Sequence, residues 1–475
     1  MKPFKWKVSE ILKAADGELL CGDSEMVFLK ISIDSRNIES KDFFAAIKGH
    51  NHDGHKFAED AVKKGIRGLM INRDKVNELP WEQWKNAGIA CIVVKDTIHA
   101  LGSLGRFNLN RSSARTAAIT GSNGKTTTRV MCSAIVEQRF NTLSTYGNYN
   151  NEIGLPLTLF NLGPEHEWAV LELGMNHAGE IKRLADICQP EIGIITNIGP
   201  AHIGELGSMD AVMYAKGELL QGLKPGGTAV LNADDPRTLK LAENLPHPVV
   251  FFGLSDKAGI KADCIKEHQV KESLAGVSFN LNLNKDQVQV NLRAQGRFMI
   301  SNALAAAAAG SIMGISIQDI KAGLESFKPV KGRMNILKTQ KGIILIDDTY
   351  NANPESMKSA ITAFHKLKQD GKRNILVIGD MFELGEHAES MHKEIGEEAA
   401  KTGVSKLFVS GSFSGYVAQG AIKNHMDSKD IFQGSVQDII QELKNILLPN
   451  DQVLVKGSRG MAMERVVNSI REWAD

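Results

Sequence analysis

Seven consecutive residues, Gly121, Ser122, Asn123, Gly124, Lys125, Thr126 and Thr127, have the types and spacing to grip a triphosphate. They follow a strand-like apolar run at residues 116–120 and precede a helical pattern that opens near Lys125. Two glycines let backbone N–H groups come close to phosphate oxygens, and a helix N-terminus adds partial positive charge. Lys125 supplies a mobile cation for the β- and γ-phosphates, and the Thr126 hydroxyl can join a Mg2+ shell. The strict Walker spacing would need glycine where Ile119 stands, so this is a shorter loop of the same physics. A plain glycine turn with a solvated lysine is the competing reading, and the strand–loop–helix context weighs against it.

Other candidates sit at the ends of apolar runs. Glu172 follows the run at residues 168–171, where a carboxylate can serve Mg2+ or simply mark an exposed turn. His202 closes the segment after residues 192–195 and joins the same rim of loops as a metal-ligand candidate, although a lone histidine is more often structural. Asp347 and Asp348 end a run at residues 342–346 and precede Thr349, Tyr350, Asn351, Ala352, Asn353 and Pro354. Strand-end acids of this kind hold a ribose or a substrate amine, and an ordinary acidic turn reads equally well. Lys456, Ser458 and Arg459 end a later run, with Arg459 suited to bidentate carboxylate binding.

The elements that must position these groups fall into three α/β blocks. Residues 1–110 mix short apolar runs with helical segments, including a helix at 58–64, strands at 66–71 and 89–94, and a helix at 97–110. Residues 111–328 alternate buried strands and helices, which predicts a parallel sheet with functional loops at the strands' C-terminal ends. Within this block, residues 262–292 change to period-two alternation, which predicts antiparallel strands at one edge. Residues 329–475 repeat strand-then-helix units in a Rossmann-like pattern.

Bulk composition excludes several classes. The chain has 475 residues, with 56 Lys plus Arg against 55 Asp plus Glu, so the net charge of +1 offers no field for nucleic acid or an acidic membrane. The five cysteines are scattered without a Cys-x-x-Cys pair, which argues against a disulfide framework or structural zinc. No run approaches the roughly 20 apolar residues of a membrane span, and the start lacks a signal-peptide pattern. The expectation is a soluble, cytoplasmic protein.

The phosphate loop with its triple threonine, followed by Gly147-Asn148-Tyr149-Asn150-Asn151-Glu152-Ile153-Gly154, resembles the Mur ligase family, whose members extend the peptide of the bacterial cell-wall precursor. Asp34-Ser35-Arg36 and Asp53-Gly54-His55 carry the resemblance into the first block, and Glu172-Leu173-Gly174-Met175, the Asp347–Pro354 run and Lys456-Gly457-Ser458-Arg459-Gly460 carry it to the end. It implies three domains: an N-terminal UDP-sugar domain (1–110), a central ATPase (111–328) and a C-terminal Rossmann-like domain for the incoming amine (329–475). It further implies that Lys216 is carbamylated and shares two Mg2+ ions with Thr126, Glu172 and His202. Asn302 matches an adenine-side residue, although Phe298 stands where the family often has histidine. Arg333 and Asp347 or Asp348 match ribose and phosphate contacts. Asn148, Asn150 and Asn151 match residues near the growing peptide, and Ser35, Arg36 and Asp53 match the UDP-sugar side. Tyr350, Asn351, Asn353, Lys456, Ser458 and Arg459 fall to the third-domain side.

Among family members, these motifs resemble the ligase that joins D-alanyl-D-alanine to UDP-N-acetylmuramoyl-tripeptide. The expected chemistry is acyl activation by ATP, giving an acyl phosphate that the amine then attacks, in a monomer that binds no nucleic acid. Lys125, Lys216, His202 and Glu172 are the catalytic candidates. A relative adding a single amino acid would keep the ATP chemistry. A regulatory ATPase would explain the loop without the strand-end acids and the third domain.

Overall fold

In the computed structural model, residues 2–49, 52–268, 276–294, 296–367 and 371–475 are described. Three larger sheets organise them. The first has five strands in the order Glu18–Cys21, Ala90–Val94, Gly68–Asn72, Asp42–Ala45 and Lys30–Ser32, parallel except for the antiparallel first strand. Ala90–Val94 is buried at every position, as expected for a strand covered on both faces. The helix expected at 58–64 is Ala58–Lys63, entered through a 3-10 turn at Gly54–Phe57. Asp53 starts that turn because its carboxylate accepts the His55 N–H. The neighbouring strand is Gly68–Asn72 rather than 66–71, with Ile66 packed beneath it.

The central sheet has nine strands, and its order puts the phosphate-loop strand Arg115–Thr120 between Ile192–Ile195 and Trp168–Glu172. These strands are parallel, so their C-terminal ends open onto one edge. The alternating segment forms the antiparallel strands Ile260–His268, Gly276–Leu283 and Asp286–Leu292 at the far edge. The helix Arg297–Ile312 buries every residue from Ala303 to Ala309. Methyl side chains let it lie close against the phosphate-loop helix Lys125–Val136 and the sheet. No helix among the described residues is long and apolar enough to cross a membrane.

The third sheet has six strands in the order Asn335–Lys338, Ile344–Asp348, Gln452–Lys456, Asn374–Gly379, Lys406–Ser410 and Ile431–Gln433, with only the first antiparallel. Two strands run further than their apolar residues suggest. Glu172 pairs with Ile119, and Asp347 and Asp348 pair with Val455 and Lys456, so all three acids are the last members of a ladder rather than the first of a loop. That placement buries them.

The first two domains meet over aromatic surface. Arg111, ending the helix Thr97–Arg111, lies 4.3 Å from the Trp6 ring centroid and 4.8 Å from that of Phe4. Trp6 meets Phe160 of the central domain edge-on at 5.2 Å.

In the third domain, the helices Ala388–Lys401 and Ser414–Lys423 touch backbone to backbone. A Cβ at Gly396 would lie 1.9 Å from the Val417 carbonyl oxygen, and one at Gly420 would lie 2.0 Å from that of Lys393. Alanine is the better helix former by about 1 kcal/mol, yet here it must push two helices apart. Gly396→Ala and Gly420→Ala are each expected to destabilise the protein by about 1–3 kcal/mol, measured as a shift in the urea unfolding midpoint.

Candidate functional site

The phosphate loop is shaped by what crowds it. Gly121 has φ +149 and Gly124 φ +81, and a Cβ at either would strike a neighbour: Thr196 Oγ1 at 1.9 Å from the first, Asn302 Oδ1 at 2.2 Å from the second. Only glycine admits this approach and leaves the N-terminus of helix Lys125–Val136 uncovered by side chains. Hydrogen bonds lock the loop to the neighbouring strand end. Ser122 Oγ donates to the Gly199 carbonyl (2.9 Å), Thr196 Oγ1 to the Asn123 carbonyl (2.6 Å), and the Asn123 N–H to Asn197 Oδ1 (2.9 Å).

Lys125 Nζ donates to the Gly121 carbonyl at 2.7 Å, curled over its own loop. Burial pushes this ammonium below the ordinary lysine range, Glu172 and Glu383 oppose the shift, and Arg333 adds to it. An anion arriving beside Lys125 therefore meets a cation held by the Gly121 and Ser122 carbonyls and, among the described residues, by no ion pair. Glu172 is 2% exposed. Its Oε1 accepts from Asn150 Nδ2 at 2.9 Å, while Oε2 lies 3.6 Å from Arg129 Nε without a hydrogen bond. A buried carboxylate oxygen with an ion pair at 3.6 Å but no hydrogen bond, on a side chain that lines a cavity, suits a cation ligand.

The cavity has a volume of about 380 Å3 and lies between the central and third domains. Ser122, Asn123, Gly124, Lys125 and Thr127 line one wall, with Glu172, Asn150, Asn151 and His202 beside them. Asn302 and Phe298 close one side, and Arg333, Asp348, Tyr350, Asn351, Asn353 and Lys456 face them from the third domain. Thus the structure gathers residues far apart in sequence into one space. Thr126 lies just behind, its Oγ1 accepting from Arg333 Nη2 at 3.2 Å, and Arg333 stacks 4.0 Å above the Tyr350 ring.

Other predicted residues are engaged in shaping the walls. Asp347 is outside the lining: its carboxylate accepts from the Gly332 N–H at 3.0 Å and from Thr349 Oγ1 at 2.6 Å. Asp348 accepts from the Met334 N–H at 3.0 Å and from Lys456 Nζ at 2.6 Å, so the two acids hold the 332–334 turn that carries Arg333. Ser458 Oγ accepts from the Phe382 N–H at 2.8 Å, and Arg459 pairs with Glu464 at 3.3 Å. Asn148 sits in the turn between the exposed rings of Tyr146 and Tyr149. Ser35, Arg36 and Asp53 belong to the first domain, away from this cavity. There Arg36 chelates Asp34 and holds its carboxyl at about 2, and Asp53 Oδ1 meets His55 Nδ1 at 2.7 Å.

Lys216 does not line the cavity. It is 1% exposed on the helix Met209–Gln221, makes no ion pair among the described residues, and is pushed well below the ordinary lysine value by burial and then by Lys125. Among the described residues no three His, Cys, Asp or Glu side chains converge as a ready metal cage. The donor set fits instead a Mg2+ that arrives with phosphate oxygens and takes one or two protein ligands.

Three residues escaped the sequence. Arg129 sits one helical turn beyond Lys125 and reaches Glu172. Glu355 accepts from Asn123 Nδ2 at 3.2 Å, with its carboxyl pushed up by burial and by Asp235. Glu383 meets His202 Nδ1 at 2.6 Å across the domain boundary. None lies in a phosphate-binding pattern, and only the neighbour found in three dimensions gives each a role.

Known proteins share this plan. The chain matches the Mur ligase middle domain over residues 119–310, the Mur ligase glutamate ligase domain over 332–459 and the Mur ligase family catalytic domain over 29–108. It is 33% identical over 470 residues to UDP-N-acetylmuramoyl-tripeptide–D-alanyl-D-alanine ligase of Bacillus subtilis, covering 99% of both chains. Identity to the enzyme of that name from Escherichia coli is 34% over 466 residues, covering 98% of both. MurF from Acinetobacter baumannii superposes with a TM-score of 0.88 at 32% identity, covering 99% of this chain and 100% of the other. MurF ligase from Thermotoga maritima, solved in complex with ADP, superposes with a TM-score of 0.80 at 26% identity, covering 93% and 97%. With that similarity running the length of all three domains, the chain belongs to the Mur ligase family of ATP-dependent amide ligases.

Proposed function

We propose that this enzyme joins D-alanyl-D-alanine to the peptide carboxylate of UDP-N-acetylmuramoyl-tripeptide, converting ATP to ADP and phosphate in peptidoglycan precursor synthesis. The observation that carries the reading is the shared cavity: a phosphate loop and buried Glu172 on one wall face Tyr350, Asn351 and Lys456 of another domain on the opposite wall. A regulatory ATPase needs only the first wall. Residues 1–110 would hold the UDP-sugar, with Ser35, Arg36 and Asp53 on its side, 111–328 the ATP, and 329–475 the incoming dipeptide.

The tripeptide carboxylate attacks the γ-phosphorus of ATP, forming an acyl phosphate and releasing ADP. The dipeptide amine then attacks the acyl carbon, and phosphate leaves the tetrahedral intermediate. Two anions must meet in the first step, so positive charge decides the rate. The helix N-terminus at Gly124 and Lys125 supply it on the nucleotide side, and Arg333 supplies it from the third domain through Thr126. Mg2+ held by Thr126, Glu172, His202 and modified Lys216 would neutralise phosphate charge when bound. Asn302 and the Asp348–Tyr350 segment would face the adenosine. Asn148, Asn150 and Asn151 would face the peptide, and Asn353, Lys456, Ser458 and Arg459 would shape the third-domain wall. A closed arrangement excludes water from the labile acyl phosphate.

Lys216 supports a further chemical step. Burial without an ion pair favours its neutral amine, the form that adds to CO2 to give a carbamate and one proton. The product would be a carboxylate-like group beside Lys125, able to ligate Mg2+ and to offset the Lys125 charge.

ADP release is expected to require both UDP-N-acetylmuramoyl-tripeptide and D-alanyl-D-alanine; ATP turnover indifferent to either would overturn the ligase reading. Lys125→Ala is expected to lower kcat by at least about 10^2–10^3-fold, read by coupled ADP assay. Lys216→Ala should lose activity and regain part of it with short-chain carboxylates. A 13C carbamate resonance from protein equilibrated with labelled bicarbonate should vanish in the same variant; full activity without that resonance in the unmodified sequence counts against carbamylation.

A further inference from the structure

The first turn of the third-domain helix Pro354–Lys366 lies against the phosphate loop of the central domain. Asn353 caps this helix: its Oδ1 accepts from the Ser356 N–H at 2.9 Å, and its own N–H donates to Ser356 Oγ at 3.0 Å. A backbone N–H can only donate, so the capping atom is the amide oxygen and the other face of the amide is NH2. That Nδ2 donates to Asn123 Oδ1 at 2.7 Å. The Asn123 carboxamide is oriented in turn, and its Nδ2 donates to Glu355 Oε2 at 3.2 Å. Hydrogen bonds thus run in one direction, from Asn353 through Asn123 to Glu355.

The main chain of Asn123 is held separately, from the neighbouring strand end. Its N–H donates to Asn197 Oδ1 at 2.9 Å, and its carbonyl accepts from Thr196 Oγ1 at 2.6 Å and Asn197 Nδ2 at 3.1 Å. The backbone of this loop residue therefore belongs to the central sheet, while its side chain belongs to the third domain. The Glu355 end fits closely. A Cβ on Gly199 would lie 1.8 Å from Glu355 Oε2, and the Gly199 N–H donates to Ser122 Oγ at 2.8 Å. The carboxylate thus rests on the same strand end that holds the loop.

We propose that Asn353 and Glu355 are positioning residues for the nucleotide: together they hold the Asn123 carboxamide, and through it the phosphate loop, when the third domain is docked. Asn353 then serves ATP from the domain that receives the incoming amine. The inference takes from the ligase reading only that the loop's ligand is ATP, and it is independent of which amine is joined. Withdrawal of the third domain removes both side-chain partners of Asn123 at once, which links domain position to the grip of the loop.

The direction of the chain supplies the test, read as the dissociation constant of ATP with Mg2+ from the full-length protein by titration calorimetry, with thermal unfolding followed in parallel. Asn353→Asp keeps the helix cap, since both residue types cap equally well, but sets a carboxylate against Asn123 Oδ1. Binding should weaken about 10-fold, the scale of one lost hydrogen bond. Asn353→Ser, which caps with a hydroxyl and has no amide, should weaken it similarly. Glu355→Gln alone keeps an acceptor and should change binding by less than about 3-fold. Combined with Asn353→Asp, it should restore binding to within about 3-fold of the unsubstituted protein. The Asn123 carboxamide can then turn over, donate to the new carboxylate and accept from the new amide, with net charge unchanged. In an Asn123→Ala background, Asn353→Asp should cause no further loss. Unchanged binding in either 353 variant, no recovery in the double variant, or further loss in the Asn123→Ala background overturns the proposal. An unchanged dissociation constant with a raised KM for D-alanyl-D-alanine makes Asn353 a dipeptide contact, which sinks this inference and leaves the ligase reading standing. ATP turnover indifferent to the dipeptide, with the recovery intact, does the reverse.

Discussion

Everything in the site depends on backbone coming closer to side chains than any Cβ allows. At Gly121 the loop lies against Thr196, and at Gly124 it lies against Asn302. These two approaches join the end of one strand, the end of its neighbour and a buried alanine-rich helix around one set of amides. With the loop so held, the helix Lys125–Val136 begins with free N–H groups aimed at the cavity. A methyl group at either glycine would move the amides, the lysine and the neighbouring strand end together.

Around that loop the protein keeps charge in poor solvent. Lys125 and Lys216 are both pushed toward neutrality by burial, and the charge of Lys125 pushes Lys216 further the same way. Arg129, likewise lowered by burial, meets Glu172 without a complete hydrogen bond. Such groups are under-compensated by the protein's own side chains and gain from an incoming polyanion and its cation. Low dielectric strengthens each of these interactions once ligands displace water.

The third domain completes the site from outside. Arg333 reaches Thr126, Asn353 donates to Asn123 at 2.7 Å, and Glu355 and Glu383 reach Asn123 and His202. The paired acids Asp347 and Asp348 make this possible by fixing the turn that carries Arg333. Their role is architectural as much as chemical, because both carboxylates are already hydrogen-bonded. A phosphate loop in one domain and its supporting polar groups in another give the protein a way to make reactivity depend on closure.

Local sequence determined a good deal of this. Alternating apolar runs and helical patterns marked the three sheets, because burial on two faces leaves a continuous apolar strand that is visible without coordinates. The glycine-lysine-threonine run announced a phosphate site because those functions are local to one strand, one turn and one helix start. What sequence could not supply was extent and partnership. Ladder pairing carried strands through Glu172 and Asp348, since backbone hydrogen bonding to a neighbour outweighs the side chain's polarity. Arg129, Glu355 and Glu383 gained their meaning only from groups up to 232 positions away in the chain, as for Asn123 and Glu355. The residue types decided that phosphate could be gripped; the packing of three domains decided which charges face it, because distance in space is not a function of distance along the chain.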